Sequence, residues 1–207
     1  MYNPTKVFGG KVVVSLKNKF PFKLTFIDPY YNDTAYIEAL AENMRPYLQT
    51  DYDHILFSYH GVPGRHIRKS DITGAHCLRS ANCCETDSAA HSFCYRHQCF
   101  TTTRLVMEQL NIPADKFSIS FQSRLGKGWL EPFTDIRLEQ MPSEGIKKLL
   151  ILCPAFVSDC LETLEEIAER GKETFLHAGG IEYEMIPCLN TDHLWVEVLK
   201  ELTEANS

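Results

Sequence analysis

KLLILCPAFVSDCLETLEEIAERG, Lys148 to Gly171, decides the fold. After its lysine, Lys148–Cys153 is continuously apolar, as a parallel strand covered on both faces must be. Pro154 closes that strand, and Asp159 followed three residues later by Glu162 reads as a capping box opening a helix. The predicted helix has an apolar stripe (Cys160, Leu161, Leu164, Ile167, Ala168) and an acidic one (Glu162, Glu165, Glu166, Glu169), and Gly171 reads as its C′ residue. Outward from this unit the same alternation recurs. Lys23–Asp28 (KLTFID), His54–Tyr59 (HILFSY) and Phe117–Gln122 (FSISFQ) read as strands, with Tyr183–Ile186 a short last one. Asp33 caps a helix carrying Tyr36, Leu40, Met44 and Tyr47; Thr101–Leu110 and Leu194–Leu202 read as further helices, and the stretch from Ser123 to about Pro142 as a loop. The expected fold is therefore α/β: one three-layer domain with a four- to five-stranded parallel sheet flanked by helices.

Composition agrees with a globular domain. The 207 residues are 44% hydrophobic and 23% charged, which supplies a core and excludes disorder and disulfide-stapled miniproteins. A net charge of −6 without a basic stripe argues against nucleic acid as a partner. No apolar run reaches the roughly 18 residues of a membrane span, and the opening MYNPTKVFGG lacks the layout of a signal peptide. Reducing cytosol is the expected compartment.

In open parallel sheets, ligands sit at the carboxyl ends of the strands. Three such ends carry unusual loops. His60 ends HILFSYH beside Gly61, which lets a ligand approach closely. Glu162 lies in the first helical turn after the Lys148 strand; imidazole and carboxylate together suit a divalent first-row metal and proton acceptance near neutral pH. The third loop, Ser120 to Pro132 (SFQSRLGKGWLEP), offers Trp129 as an aromatic face for stacking and Arg124 and Lys127 as cations for carboxylates, which fits a flat anionic ligand.

Eight cysteines are the anomaly, and five of them, Cys77, Cys83, Cys84, Cys94 and Cys99, fall in one polar segment with His76, His91 and His97 interspersed. In reducing surroundings such a group points to metal. A [2Fe–2S] cluster is preferred over zinc; Cys77, Cys94 and Cys99 are the first ligand choices, with Cys84 and Cys83 competing for the fourth place. Cys153 and Cys188 read as small buried hydrophobes.

Taken together, SYHGVPGRHIRKSD, FQSRLGKGWLEPFTD and CPAFVSDCLETLEEI resemble the ferrochelatase family, in that order, over about Thr25 to Leu199. The resemblance implies a chelatase-like domain that inserts ferrous iron, its substrate, into a porphyrin to make haem. It implies His60 and Glu162 as the catalytic, metal-handling pair and Trp129 as an aromatic lining the porphyrin pocket. It adds Tyr59, Gln122, Ser123 and Arg124 as further lining, and Glu166 and Glu169 as a proton or iron relay. Many members have histidine where Cys160 stands here. Family members pair two such domains, so residues 1–22 read as a joining segment from a missing N-terminal ferrochelatase domain and 23–207 as the C-terminal one, with the Cys-rich insert at about 70–99. The insert is similar to one holding a [2Fe–2S] cluster in some bacterial members. The competing readings are a chelatase for another tetrapyrrole, such as a cobalt chelatase, and a non-catalytic iron–sulfur module. The lipophilic product keeps peripheral membrane association open.

Overall fold

The computed structural model describes residues 27–205. The expected joining segment and most of the KLTFID strand lie outside those residues; Ile27 and Asp28 at its end are not in a strand. Helix α1, Thr34–Met44, starts as expected on Asp33, whose carboxylate accepts the Tyr36 N–H. Strands β1 (His54–His60), β2 (Phe117–Gln122), β3 (Lys148–Leu152) and β4 (Glu182–Met185) form one parallel sheet in the order β2-β1-β3-β4. The expected α/β three-layer architecture is present.

One core lies on each face of the sheet. On the first, α1, α3 (Tyr95–Leu110) and α6 (His193–Glu204) pack Tyr36, Leu40, Met44, Val106 and Trp195 against Ile55, Phe57 and Tyr59. On the second, α4 (Thr134–Gln140) and the long helix α5 (161–177) cover Leu56, Leu149 and Ile151 with Leu138, Ile167 and Phe175. Short α2 (Gly64–Ser70) follows the β1 loop. The burial expected of the Lys148 strand is met: β3 is buried almost throughout, and so is β1.

Helix α5 departs most from expectation. It begins at Leu161 on the N-cap Cys160, with Thr163 completing the capping box, where Asp159 and Glu162 were expected. Asp159 instead accepts from Asn190 Nδ2 (2.7 Å) and the Cys188 N–H (3.2 Å), tying the turn to the loop after β4. After Leu161–Thr163 the helix widens into a π turn over Leu164–Gly171, then resumes as α over Lys172–His177. Within the wide turn, Tyr183 Oη donates to the Ile167 carbonyl (2.7 Å), an outside donor for the helix backbone. Gly171 is thus an interior residue, not a C′ stop: a Cβ there would meet Tyr183 Oη at 2.8 Å. The expected apolar stripe is also broken, because Leu161 (74% exposed) and Leu164 (51%) face outward while Ile167 is buried.

The Cys-rich segment is a set of turns ending in a 3₁₀ turn, Ala89–Phe93, that leads into α3 six residues before its expected start. Asp71 anchors its beginning. One carboxylate oxygen accepts from Thr73 N and Oγ1, the other from His76 N and Cys77 N, both at 2.8 Å. Burial pushes its pKa up, but these hydrogen bonds outweigh burial and hold it below the ordinary aspartate value. A depressed carboxyl stabilises the fold above its unfolded pKa of about 4 and loses that contribution as pH falls further. Amide exchange at His76 and Cys77, corrected for intrinsic rate, is therefore expected to stay slow down to about pH 4 and quicken below it. Equal protection at pH 3 and pH 6 would show that the carboxylate is not what holds this turn.

Candidate functional site

The carboxyl ends of β1, β2 and β3 open on a cavity of about 860 Å³. His60 and Glu162 line it together with Ser123, Arg124, Trp129 and Glu166. Two of the three loops that form it are zipped together. Gly64 N donates to Gly128 O (2.8 Å) and Leu130 N to Val62 O (3.0 Å), which sets Trp129 beside Gly61. Gly61 is required by close approach: a Cβ there would stand 2.7 Å from the Gln122 carbonyl oxygen and 3.3 Å from the Trp129 ring.

His60 is half-buried at the end of β1, its ring beside Phe156. Its Nδ1 lies 2.6 Å from the Gly61 carbonyl oxygen, an acceptor only, so Nδ1 carries a proton and, in the neutral ring, Nε2 carries the lone pair. Tyr95 Oη, from the first turn of α3, donates to the His60 carbonyl at 2.9 Å. The Cys-rich segment thus ends as a brace behind this histidine.

Glu162 is exposed to the cavity, and Cys160 Sγ donates to its Oε2 at 3.2 Å. That thiol first, then its own backbone N–H and nearby His60, hold the carboxyl below its ordinary value, so it stands ionised at neutral pH. Glu166 also reaches the cavity, but both its oxygens are engaged by Ser123, through N (2.8 Å) and Oγ (2.7 Å). Ser123 makes both bonds from a left-handed backbone, φ +59°.

The other expected residues divide. Arg124 lines the cavity but pairs with Asp135 (2.7 Å) and lies over the Phe133 ring (4.4 Å). Tyr59 and Gln122 do not line it: Tyr59 points into the first core, where its hydroxyl meets Thr103, and Gln122 is buried beneath the floor. Glu169 is exposed outside the cavity, so the structure does not assemble the expected relay. Sequence reasoning missed the far wall, made by Thr134, Asp135 and Leu138 of α4 with Ile167, Arg170 and Thr174 of α5. The only available sign of α4 was the short apolar spacing of Phe133, Ile136 and Leu138 after Pro132.

In the Cys-rich segment, Cys77, Cys83, Cys84, Cys94 and Cys99 are all buried. The donor types suit a cluster, but the thiols bond to one another and to Arg96. Cys84 and Cys77 are hydrogen-bonded to Cys94, whose thiol is pulled down to about 6, first by the bond from Cys84. Arg96 donates to Cys84 Sγ (3.3 Å) and Cys83 Sγ (3.5 Å), while Cys99 is buried against Tyr95 on α3. The histidines bind main chain: His76 and His91 contact the Cys83 carbonyl, and His97 the Cys84 carbonyl. Among the described residues no group of three or more His, Cys, Asp or Glu side chains is set to hold a metal ion. The structure therefore gives the expected iron–sulfur cluster or zinc no support. Among the described residues, too, no helix is long and apolar enough to cross a membrane.

A family model described as Ferrochelatase matches residues 10–207. The chain is 48% identical over 202 residues to a ferrochelatase of Pseudomonas fluorescens (strain Pf0-1), covering 97% of this chain and 59% of that protein. It is 48% identical over 188 residues to the ferrochelatase of Pseudomonas fluorescens (strain SBW25), covering 90% and 55%. With the ferrochelatase of Pseudomonas syringae pv. tomato it shares 46% over 201 residues, covering 97% and 59%. The chain spans between half and two thirds of the length of these curated relatives.

Proposed function

This chain belongs to the ferrochelatase family, and from that membership we propose that it carries the metal-inserting wall of an enzyme that places ferrous iron in a porphyrin to make haem. The observation that carries the reading is the convergence of His60 and Glu162 on one cavity rimmed by Trp129. Metal insertion must remove two pyrrole protons as the cation enters. His60 offers Nε2 for a proton because Gly61 fixes the proton on Nδ1. Glu162, ionised and exposed at the first turn of α5, attracts and guides the divalent cation. Trp129 stacks on the macrocycle, and Ser123 holds Glu166 so that the cavity wall keeps its shape.

The activity is proposed for the protein in which an upstream ferrochelatase half supplies the opposite wall. Zinc or anaerobic ferrous insertion, followed as loss of porphyrin fluorescence or gain of haem absorbance, tests it on this chain alone and on the chain joined to the upstream half of a curated relative. Insertion is expected in the joined protein, with the lone chain at least about 100-fold slower because half of the positioning surface is gone. No insertion by a folded joined protein would refute the reading. A cobalt preference over iron in the same assay would favour the chelatase alternative. A [2Fe–2S] cluster, with zinc second, rests on cysteine content and on the resemblance of the insert, and no step is routed through it. The absorption spectrum and metal content of the anaerobically purified protein decide between them.

A further inference from the structure

Gln122 was expected at the pocket surface, yet it is 2% exposed and every part of it is used for something else. It ends β2 as the register partner of His60. Its carbonyl accepts the Gly61 N–H at 2.8 Å, which pins the backbone just past His60. Its side chain runs the other way, under the cavity floor, and its Nε2 donates to the Glu162 carbonyl at 3.1 Å.

The amide orientation follows from its neighbours. The Glu162 carbonyl can only accept, so the nitrogen faces it and Oε1 faces Ser58. Ser58 Oγ then donates to Oε1 (2.8 Å), leaving its lone pairs for Thr134 Oγ1 (2.8 Å), which accepts in turn from Ser120 Oγ (2.8 Å). Cys153 Sγ gives Oε1 a second, longer contact at 3.4 Å. The result is a buried, one-directional chain from Ser120 through Thr134 and Ser58 to Gln122 and on to the first turn of α5. Such a chain polarises along its length and resists reorientation.

We propose that Gln122 is a positioning residue for metal insertion, fixing the end of β1 that carries His60 and the helical turn that carries Glu162 in one relative placement. The inference rests on the reading of His60 and Glu162 given above. Small misplacements of reacting groups are expensive in rate, so a group that touches neither metal nor porphyrin can still govern turnover.

The test uses the joined protein with three variants. Gln122→Met keeps the shape and removes both hydrogen-bonding ends. It is expected to lower kcat by about 10- to 100-fold while the porphyrin KM stays within about twofold. Gln122→Glu keeps both contacts only while its carboxyl is protonated, a form that burial favours. Its insertion rate is expected to follow the parent at low pH and fall away as pH rises, whereas Gln122→Met is low throughout. Zn²⁺ titration of the folded variants without porphyrin should show metal affinity weakening alongside kcat. Folded Gln122→Met inserting metal within about threefold of the parent would overturn the proposal, as would a pH profile of Gln122→Glu parallel to that of Gln122→Met. If Gln122→Met does not fold, Ser58→Ala decides: a loss of about three- to tenfold supports the proposal, and the parental rate overturns it. A parent protein that inserts no metal would sink the function proposed above, a different result from a parent and Gln122→Met that insert equally well.

Discussion

Replacing His60 with alanine in the joined protein is expected to reduce metal insertion by about 10²- to 10⁴-fold, the range a positioned proton acceptor contributes. The loss should fall on kcat, because the imidazole accepts protons that leave only as the metal enters. The fold should tolerate the change. His60 is the last residue of β1, it is only half-buried, and its side chain bonds to the adjacent Gly61 alone among the described contacts. Added imidazole should restore part of the rate if the cavity admits it, since the missing group is a base and not a scaffold. Insertion within about threefold of the parent, measured on protein with an unchanged melting curve, would remove His60 from the chemistry.

Phe175→Ala is expected to act in the opposite way, on stability and hardly on chemistry. Phe175 is fully buried in the second core, its ring 5.8 Å from that of Tyr183. Its neighbour Gly180 is so close that a Cβ there would meet the ring at 2.2 Å, so the space left by truncation is bounded by backbone and cannot refill easily. Truncating a buried phenylalanine costs about 3–5 kcal/mol, a large share of the 5–15 kcal/mol that holds a typical domain together. At about 2–4 °C per kcal/mol for a chain of this size, the melting temperature should drop by roughly 6–20 °C. The side chain does not line the cavity, so insertion per folded molecule at low temperature should stay within about threefold. A shift below about 2 °C would mean that this face of the sheet relaxes far more than its packing suggests.

These two residues also show where the sequence was readable. Strands β1 and β3 emerge almost residue for residue, because doubly covered strands leave apolar runs that no amphipathic helix imitates. Strand ends followed, and with them His60, Glu162 and Trp129 as residues facing a shared cavity. Tyr59 and Gln122 enter the expected pocket only through the family resemblance. Strand alternation says that neighbours point to opposite faces, but not which face carries the opening. Glu169 was grouped with Glu162 and Glu166 on α-helical spacing, and the π turn breaks that register. Nor could the pattern distinguish a glycine that ends a helix from one that admits another side chain. Gly171 makes room for Tyr183 and Leu138, and the chain turns only later, at Gly179 with φ +99°. Helix α4 was hidden by its seven-residue length.

The sheet order has a consequence for how the chain is born. The strand that bears His60 lies inside the sheet, and both its neighbours come later in the sequence: Ile55 pairs with Phe117 and with Leu150. At a synthesis rate of about 5–20 residues per second, β1 leaves the ribosome and waits roughly 5–20 s before β3 has followed it out. During that interval an apolar strand made to be covered on both faces and paired on both edges lacks at least one of its partners, β2 following first and β3 last. The nascent chain therefore offers chaperones a well-defined segment, HILFSYH, and closes it only when the residues that follow Lys148 complete the sheet.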